Sequence, residues 1–360
     1  MRENNFAIIM AGGVGSRFWP VSTAVHPKQF IDLLGKGESL IQTTFNRLSQ
    51  LVPVQNIFIL TNEAYESLVK KQLTEITEEQ IVLEPVMRNT APAVLLAALK
   101  INKINKDAVM IMAPSDHWIE DEAAFSVDVE KAFEAARGAN RIITLGIRPT
   151  FPNTGYGYIK FDPQEEAQVK PVEVFTEKPS YELAQKFLSS GNHLWNSGIF
   201  VWNVNYILQA FKNNLPQMYR IFSVETEVFN TSGEKKFIKD TYPAAENISI
   251  DYGILEKEKG TVYVIPASFD WNDLGTWGSI YSESAKDDQQ NAVLNVRLIA
   301  ENASGNIITS DKNKVVVIDG LNDHIVVDEK NILLIVPKEK EQEIKNIREK
   351  VQRKYGDNLG

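Results

Sequence analysis

A glycine-rich loop followed by two cations is the strongest chemical signal in the sequence. The loop reads Met-Ala-Gly-Gly-Val-Gly-Ser-Arg-Phe-Trp-Pro over residues 10–20, and Pro-Lys-Gln-Phe follows at residues 27–30. Glycines let the backbone turn tightly and point N–H groups at an anion. Arg17 and Lys28 are spaced so that both could fold back over the same phosphates. The alternative is a glycine-rich turn that carries two solvated cations.

Other common site types are absent from the sequence. No Gly-Lys-Ser/Thr closes the loop as in a P-loop, and Phe18 stands where the dinucleotide fingerprint needs a third glycine. The four histidines are scattered, and there is no Gly-x-Ser-x-Gly nucleophile elbow. The chain has no cysteine, which excludes disulfides, thiolate nucleophiles and cysteine-containing zinc sites.

Two carboxylates stand where they could bind a hard cation. Asp116 lies in Met-Ala-Pro-Ser-Asp-His, at the end of an apolar run, and Asp273 lies in Phe-Asp-Trp-Asn-Asp-Leu-Gly. Mg²⁺ prefers oxygen ligands and uses few protein groups alongside substrate phosphates. The alternative for each is helix capping: Ser115 or Asp116 for a helix that begins near residue 121, and Asp273 for a helix that follows Gly275.

Three further polar motifs could bind a sugar phosphate or a nucleotide. In Thr-Glu-Lys-Pro at 176–179, the glutamate could accept bonds from sugar hydroxyls and the lysine could neutralise a phosphate, or the motif is a surface turn. Trp-Asn-Ser-Gly-Ile at 195–199 offers an amide beside a glycine that permits close approach. In Arg-Asn-Thr-Ala-Pro at 88–92, which follows Glu-Pro, the asparagine and threonine could instead cap a helix.

Taken in order, these motifs resemble the signature of the sugar-1-phosphate nucleotidyltransferases, Gly-Gly-x-Gly-x-Arg, then Pro, then Pro-Lys. Pro-Lys-Gln-Phe, Glu-Pro and Arg-Asn-Thr-Ala-Pro are similar to the mannose-1-phosphate guanylyltransferase branch. The resemblance covers about residues 5–280, and the tail from about residue 290 matches less specifically. It implies an enzyme that uses Mg²⁺ to convert GTP and mannose 1-phosphate into GDP-mannose and pyrophosphate. A cytoplasmic location is expected because the sequence shows no membrane span and no secretory segment.

The resemblance also implies a role for each matching residue. The expected metal ligands are Asp116 and Asp273, with Asp270 as the fallback, and the expected catalytic residues are Arg17, Lys28, Asp116 and Lys178. The expected nucleotide-binding residues are Ala11, Gly12, Gly13, Gly15, Ser16, Arg17, Glu84, Asn89 and Thr90. The expected sugar-phosphate-binding residues are Gly155, Glu177, Lys178, Asn196 and Gly198.

The elements that must position these residues form an α/β pattern. Short apolar strands at 6–10, 57–61, 81–84, 109–113 and 142–145 alternate with amphipathic helices at 40–51, 63–72, 92–104 and 123–137. This alternation predicts a mostly parallel, Rossmann-like sheet with helices on both faces and ligands beyond the carboxyl ends of its strands. Further strands are expected at 156–161, 172–176, 199–202 and 262–265, with helices from residues 181, 204 and 216.

The composition and the second half of the sequence limit the possible partners and the domain organisation of the molecule. The 360 residues carry 38 Lys plus Arg against 47 Asp plus Glu, so the net charge of −9 argues against general nucleic-acid binding. No run approaches the ~20 apolar residues of a membrane span. We expect a catalytic domain at 1–285 and a small β-rich domain at 286–360.

That small domain is expected to hold strands at 293–300, 306–309, 314–318, 324–327 and 332–336, without the hexapeptide pattern of a long β-helix. A charged helix from residue 338 to about 354 closes it, and its lysines and arginines are most simply a solvated face. Exposed strand edges there could pair in a homodimer.

Three alternatives to this function stay open at the sequence level. Another member of the class could join glucose 1-phosphate to UTP or dTTP. A glycosyltransferase would use Asp-x-Asp, but the chain reads Asp-His-Trp at 116–118. A non-catalytic homologue would bind nucleotide sugars without turnover. A sugar-phosphate isomerase barrel is excluded by the short tail, so no isomerase activity is expected.

Overall fold

The computed structural model describes residues 2–13, 15–310, 314–356 and 359, and for Ser16 it describes the backbone alone. The strands are β1 Asn5–Met10, β2 Ile57–Asn62, β3 Ile81–Glu84, β4 Val109–Pro114, β5 Ile142–Ile147, β6 Gly157–Phe161, β7 Lys170–Glu177, β8 His193–Asn203, β9 Val262–Pro266, β10 Ala292–Leu294, β11 Arg297–Glu301, β12 Ile307–Ser310, β13 Val315–Asp319, β14 His324–Glu329 and β15 Ile332–Pro337. The α-helices are α1 Leu40–Ser49, α2 Glu66–Gln72, α3 Thr90–Ile104, α4 Glu122–Ala136, α5 Tyr181–Ser190, α6 Val204–Asn214, α7 Pro216–Ser223, α8 Glu234–Thr241, α9 Trp277–Glu283 and α10 Ile344–Tyr355.

A nine-stranded mixed sheet in the order β3-β2-β1-β4-β8-β5-β9-β7-β6 forms the first part of the fold. Strands β1 to β4 are parallel to one another, and β8 runs antiparallel between β4 and β5. The carboxyl ends of β1, β3 and β4 therefore lie on one edge, as the strand–helix alternation requires. The predicted α/β fold class is confirmed.

Burial on both faces explains why the inner strands are continuously apolar. Met110 and Met112 of β4 pack in one cluster with α3 and α6, and Val109 and Ile111, which point the opposite way, are also fully buried. Helix α4 packs against β4, β5 and β8. A parallel strand that is covered on both sides must be apolar at every position.

Three predicted elements differ from the observed ones. The helix expected at 63–72 begins as a 3₁₀ turn, Glu63–Tyr65, and becomes α2 only at Glu66. The strand expected at 293–300 is two strands, because Asn295 between them has a left-handed φ of 59° that interrupts the extended chain. The terminal helix expected from residue 338 starts as a 3₁₀ helix, Lys338–Glu343, before α10.

Proximity of Cα atoms divides the chain into two compact units. Unit 1 comprises residues 1–12, 45–114 and 119–271 and contains the nine-stranded sheet; unit 2 comprises residues 13–44, 115–118 and 272–360. The domain boundary expected at residues 285–286 is a division of the sequence and stays a prediction. Among the described residues, no helix is both long and apolar enough to cross a membrane.

The tail in unit 2 is wound as a short parallel coil. β10, β12 and β14 pair in parallel, β11 and β13 form a second parallel pair, and β15 closes the first sheet antiparallel. One apolar cluster joins the coil to the glycine-rich loop: Ile307, Ile325 and Val327 of the coil belong to the same cluster as Phe18 and Trp19.

Candidate functional site

The glycine-rich loop has a backbone shape that only glycine can supply at one position. Gly15 has φ of 60°, and a Cβ added there would lie 2.8 Å from the Cβ of Lys28. The Gln29 side chain donates to the carbonyl of Gly13 at 2.9 Å. Phe18 is buried and meets the Trp277 ring edge-on, with centroids 5.5 Å apart. The loop is therefore fixed at both ends, and its following 3₁₀ turn, Ser16–Phe18, exposes Arg17.

Lys28 is buried, and three oxygens surround its ammonium group. Nζ lies 2.9 Å from Asp116 Oδ2 and donates to the carbonyls of Asp273 at 2.8 Å and Leu274 at 3.2 Å. A lysine has three N–H donors, so all of them are used. Lys28 thus ties Asp116, two residues beyond the end of β4, to the loop that carries the second predicted metal ligand.

The charge state of Asp116 follows from this contact. Burial would raise the pKa of its carboxyl, but the Lys28 ammonium, followed by His117, outweighs burial and holds the pKa below its usual range. Asp116 is therefore an ionised carboxylate at neutral pH, which is the form that binds phosphate-bound cations.

One pocket of unit 2 collects most of the predicted phosphate and metal residues. It has a volume of about 440 Å³ and is lined by Gly15, Arg17, Phe18, Lys28, Asp116, His117, Asp273, Gly275 and Lys345. Asp116 and Asp273 bring two hard carboxylates to it, a set that fits Mg²⁺ because this ion takes one or two carboxylates and fills its shell with phosphate and water. Among the described residues no three His, Asp or Glu side chains form a complete metal cage.

The capping alternatives for the two carboxylates are excluded. Helix α4 is capped by Asp121, whose side chain accepts from Ala124 N at 2.9 Å, and α9 is capped by Thr276. Asp270, the fallback ligand, accepts the backbone N–H groups of Glu120 and Asp121 at 2.8 and 2.7 Å. Its two oxygens hold the start of α4, which leaves Asp273 as the candidate.

In unit 1, the Asn196 amide is held in one orientation on β8. Its Oδ1 accepts from the Thr144 hydroxyl and from Gly198 N, both at 3.2 Å, and its Nδ2 donates to Asp251 Oδ1 at 3.1 Å. Gly198 has φ of 72°, which allows the backbone to turn back onto the amide. An amide fixed in this way is suited to recognise a polar ligand without reorganising.

Glu177 and Lys178 lie beside this amide at the end of β7. The two side chains form an ion pair at 2.9 Å, and this bond is the main reason that the pKa of Lys178 is raised. A Cβ on Gly157 would lie 2.5 Å from Glu177 Oε2 and 3.3 Å from the Asn196 Cβ, so this glycine makes room for both. Gly155, predicted for this site, lies in an exposed turn where its N–H donates to Asn153.

Asp251 belongs to the same cluster, and sequence analysis missed it. It opens a π-helical turn, Asp251–Leu255, and its carboxyl accepts from Asn196. Burial, followed by the negative charge of Glu177, raises the pKa of Asp251 to about 6. Two carboxylates around an amide form an acceptor-rich group of the kind that binds sugar hydroxyls. Only the isolated acid in an apolar run, Ile-Asp-Tyr-Gly-Ile, could have indicated it.

Glu84 ends the edge strand β3 and is buried. The Tyr242 hydroxyl donates to its Oε1, and a Cβ on Gly12 would lie 3.4 Å from its Oε2. Burial raises the pKa of Glu84 to about 6, and the bond from Tyr242 acts against that rise. This carboxylate therefore lies against the backbone that leaves β1.

The predicted nucleotide motif at 88–92 caps a helix and also anchors a distant segment. Asn89 caps α3 by accepting from Thr90 N at 3.1 Å, as the capping alternative expected. The Thr90 hydroxyl accepts from Ile250 N at 2.8 Å, and Arg88 donates to the Pro243 carbonyl at 2.7 Å. The segment 242–251 thus joins Glu84, this motif and Asp251 within unit 1.

The predicted residues therefore fall into groups. Unit 2 brings Gly15, Arg17, Lys28, Asp116 and Asp273 to one pocket. Unit 1 brings Glu177, Lys178, Asn196 and Gly198 to a second cluster. The Ala11 carbonyl accepts from Thr61, and the side chain of Ser16 lies outside the described part of the chain.

Lys345, predicted to lie on a solvated charged face, is exposed and also lines the unit 2 pocket. Only its place directly after the apolar Ile344 could have indicated this from the sequence.

Comparison with known proteins places the chain in a family. Residues 6–290 match the nucleotidyl transferase family, and residues 297–351 match the mannose-phosphate isomerase/GMP-like β-helix domain. A mannose-1-phosphate guanylyltransferase of Salmonella montevideo is 37% identical over 356 residues, which cover 96% of this chain and 73% of that protein.

Two solved structures are also similar. A crystal structure from Thermus thermophilus, described as a mannose-1-phosphate geranyltransferase, has a TM-score of 0.85 at 30% identity and covers 97% of this chain and 99% of its own. A Helicobacter pylori mannose-6-phosphate isomerase has a TM-score of 0.61 at 26% identity, over 75% of this chain and 99% of that one. The chain belongs to the nucleotidyl transferase family and, within it, to the mannose-1-phosphate guanylyltransferases.

Proposed function

We propose that the chain transfers the guanylyl group of GTP to mannose 1-phosphate, which forms GDP-mannose and releases pyrophosphate. The observation that carries this proposal is the unit 2 pocket, where a glycine-rich loop, three cations and two carboxylates line one cavity. A pocket with this composition suits a triphosphate with its counter-ion. The curated relative from Salmonella carries the same activity in its name.

The reaction needs alignment and charge stabilisation more than acid–base chemistry. A phosphate oxygen of mannose 1-phosphate attacks the α-phosphorus of GTP, and the bond to the bridging oxygen breaks as pyrophosphate leaves with the electron pair. The nucleophile is already an anion at neutral pH, so no general base is required. Positioning and fixed positive charge then supply most of the rate enhancement.

We assign the following roles in the phosphate pocket. The loop N–H groups and the Arg17 guanidinium bind the phosphates of GTP. Asp116 and Asp273 would hold a divalent metal, as enzymes of this family generally use one, and the metal would supply positive charge to the phosphates. Lys28 holds the Asp116 carboxylate in place through its 2.9 Å contact.

Glu84 supports guanine as the base. An ionised carboxylate only accepts hydrogen bonds. Guanine presents two neighbouring donors on its Watson–Crick edge, N1–H and the N2 amino group, which one carboxylate can accept together. Adenine presents an acceptor at N1, and uracil and thymine present a single N–H between two carbonyls, so each would leave a polar group unpaired at a buried site.

The unit 1 cluster supports a sugar phosphate as the second substrate. Glu177, Asn196 and Asp251 offer acceptors and one amide donor to hydroxyl groups, and Lys178 offers a cation to the phosphate. Lys178 holds a left-handed φ of 46°, an uncommon conformation for a non-glycine residue.

The test is pyrophosphate release by the pure protein with Mg²⁺, across four nucleoside triphosphates and several hexose 1-phosphates. We expect activity with GTP and mannose 1-phosphate and none after EDTA is added. Activity confined to UTP or dTTP with glucose 1-phosphate would keep the mechanism and overturn the assigned base and sugar. Glu84→Gln should reduce the preference for GTP over ATP, because the variant amide offers one acceptor instead of two.

If no combination of nucleotide and sugar phosphate released pyrophosphate, but calorimetry detected binding of GDP-mannose, the chain would instead be a non-catalytic homologue. Conversion of fructose 6-phosphate into mannose 6-phosphate would contradict the expected lack of isomerase activity. The homodimer and the cytoplasmic location expected from the sequence stay predictions.

A further inference from the structure

We propose that Lys345, on the C-terminal helix α10, binds the pyrophosphate part of the nucleotide in the unit 2 pocket. This inference rests on the proposed function and assigns the leaving group its own cation. Its basis is that Lys345 lines the same cavity as Arg17, Lys28, Asp116 and Asp273, although it lies far from them in sequence.

Packing of α10 fixes the position of this lysine. Ile344, the residue before it, is fully buried in the cluster that contains Phe18 and Trp277. Helix α10 packs against the 3₁₀ turn Ser16–Phe18, which carries Arg17. Lys345 is therefore held beside the glycine-rich loop by the apolar face of its own helix.

Two hydrogen bonds secure the same region. The Trp19 indole donates to the Leu359 carbonyl at 2.9 Å, and Gly278 N donates to Glu341 Oε2 at 2.7 Å. The first joins the glycine-rich loop to the chain beyond α10, and the second joins α9 to the 3₁₀ helix before α10. These contacts hold both ends of α10, and with them Lys345, beside the pocket.

The hydrogen bonds already made by the pocket cations show which of them can bind pyrophosphate. Lys28 is buried and its three donors are already bound to Asp116 and to two carbonyls. The exposed cations of the pocket are Arg17 and Lys345. Within the described part of the chain, Lys345 Nζ has no carboxylate partner, so it is available to an anion.

The exposed position of Lys345 indicates that it binds the pyrophosphate part of GTP and not the α-phosphate. Asp116 and Lys28 form the more buried part of the pocket, whereas Arg17 and Lys345 are at its solvent side. The leaving group has to reach water, and it gathers negative charge as its bond to the α-phosphorus breaks. A flexible ammonium at the mouth can follow that charge and release the product.

The experiment compares Lys345→Ala with Lys345→Arg and with Lys350→Ala, a lysine on another face of the same helix. In the reverse reaction, pyrophosphate and GDP-mannose are varied separately. We expect Lys345→Ala to raise the KM for pyrophosphate roughly tenfold, the loss typical of one charge-assisted hydrogen bond, and to leave the KM for GDP-mannose within about twofold. Lys345→Arg should recover most of the loss, and Lys350→Ala should behave as wild type.

Calorimetry with inorganic pyrophosphate tests the role of Lys345 without requiring turnover of the proposed substrates. Weaker pyrophosphate binding by Lys345→Ala, with an unchanged melting temperature, would support the assignment even if the proposed substrates were wrong. An unchanged KM and binding constant for pyrophosphate would overturn it. Equal losses for pyrophosphate and GDP-mannose would also overturn it, since they would indicate a general effect on the pocket.

Discussion

Lys28 and Asp116 illustrate how single residues of the site depend on each other. The Lys28 ammonium is buried, and it donates to the Asp116 carboxylate and to the backbone carbonyls of Asp273 and Leu274. Removing it would leave a partly buried carboxylate without its counter-charge and two carbonyls without a donor. Lys28 therefore positions Asp116, the proposed metal ligand, in addition to adding positive charge to the pocket.

We expect Lys28→Ala to lower kcat by about 10²–10³-fold, the range found when one fixed stabilising donor is lost. Steady-state pyrophosphate release measures this effect. Lys36→Ala is the matched control, because Lys36 is an exposed lysine of the same unit that lies over the Trp118 ring. Near-normal turnover of Lys28→Ala would contradict the role given to Lys28.

Glu84 makes a contribution to stability that depends on pH. Its pKa is about 6 in the folded protein against a usual value of 4.5, so the folded state holds the proton more tightly. Stability therefore falls as pH rises from 4.5 through 6, by ~2 kcal/mol for this group, and the cost is absent below 4.5.

We expect Glu84→Gln to be more stable than wild type at pH 8, and we expect this advantage to shrink towards pH 5. Urea unfolding at the two pH values measures it. Glu246→Gln, at an exposed carboxylate, is the control and should show no such change. An advantage for Glu84→Gln that is equal at pH 5 and pH 8 would refute the argument.

At the scale of elements, the segment 242–251 contacts both the proposed nucleotide motif and the proposed sugar cluster of unit 1. The Tyr242 hydroxyl donates a hydrogen bond to Glu84, and the Pro243 carbonyl accepts one from Arg88. The Ile250 N–H donates to the Thr90 hydroxyl. The next residue, Asp251, accepts from Asn196. A change at the nucleotide motif can therefore reach the sugar cluster through one short stretch of chain.

Thr90→Val tests this connection, since it keeps the shape of the side chain and removes the acceptor for Ile250 N. An unpaired, partly buried N–H costs about 1–3 kcal/mol. We expect a lower melting temperature and a higher KM for the sugar phosphate as well as for GTP. Thr90→Ser, which keeps the hydroxyl, should restore both values. A change in the KM for GTP alone would show that the segment does not couple the two clusters.

The sequence predicted the strands and helices of unit 1 well, because apolar periodicity and turn residues act locally. It predicted less of the tail, where partners such as Ala292 and Ile307 pair in parallel coils without a strict hexapeptide repeat. Asp251 and Lys345 were missed for the same reason. Their roles depend on which distant residues they meet, and no spacing along the chain records that.

At the scale of the whole molecule, the coil packs against the aromatic residues of the glycine-rich loop. Ile325 of β14 is fully buried in the same cluster as Phe18, Trp19 and Trp277. The tail matches the β-helix domain of the family, yet its core is continuous with residues that precede it by about three hundred positions. We therefore expect that loss of packing in the coil disturbs the structure of the phosphate pocket.

We expect Ile325→Ala to cost about 2–5 kcal/mol of stability, as truncation of a fully buried side chain does. We also expect a lower kcat at temperatures where the protein is still folded, because Phe18 lies beside Arg17 in the loop. Thermal unfolding and turnover measure the two effects. Ile299→Ala, at an exposed position of the coil, is the control. Full activity of Ile325→Ala below its melting temperature would contradict this link.

The assembly of unit 2 from three stretches of chain has a consequence for biosynthesis. When the ribosome has made residue 271, every strand of the nine-stranded sheet exists, but the cluster around Phe18 and Trp19 still lacks Trp277 and the members from the coil and α10. Chains fold largely as they emerge, with the earlier parts first. The glycine-rich loop must then wait, with its aromatic residues exposed, until the coil and α10 have followed. If the pocket binds nucleotide as proposed, we expect a nascent chain to bind it fully only after synthesis has passed residue 345.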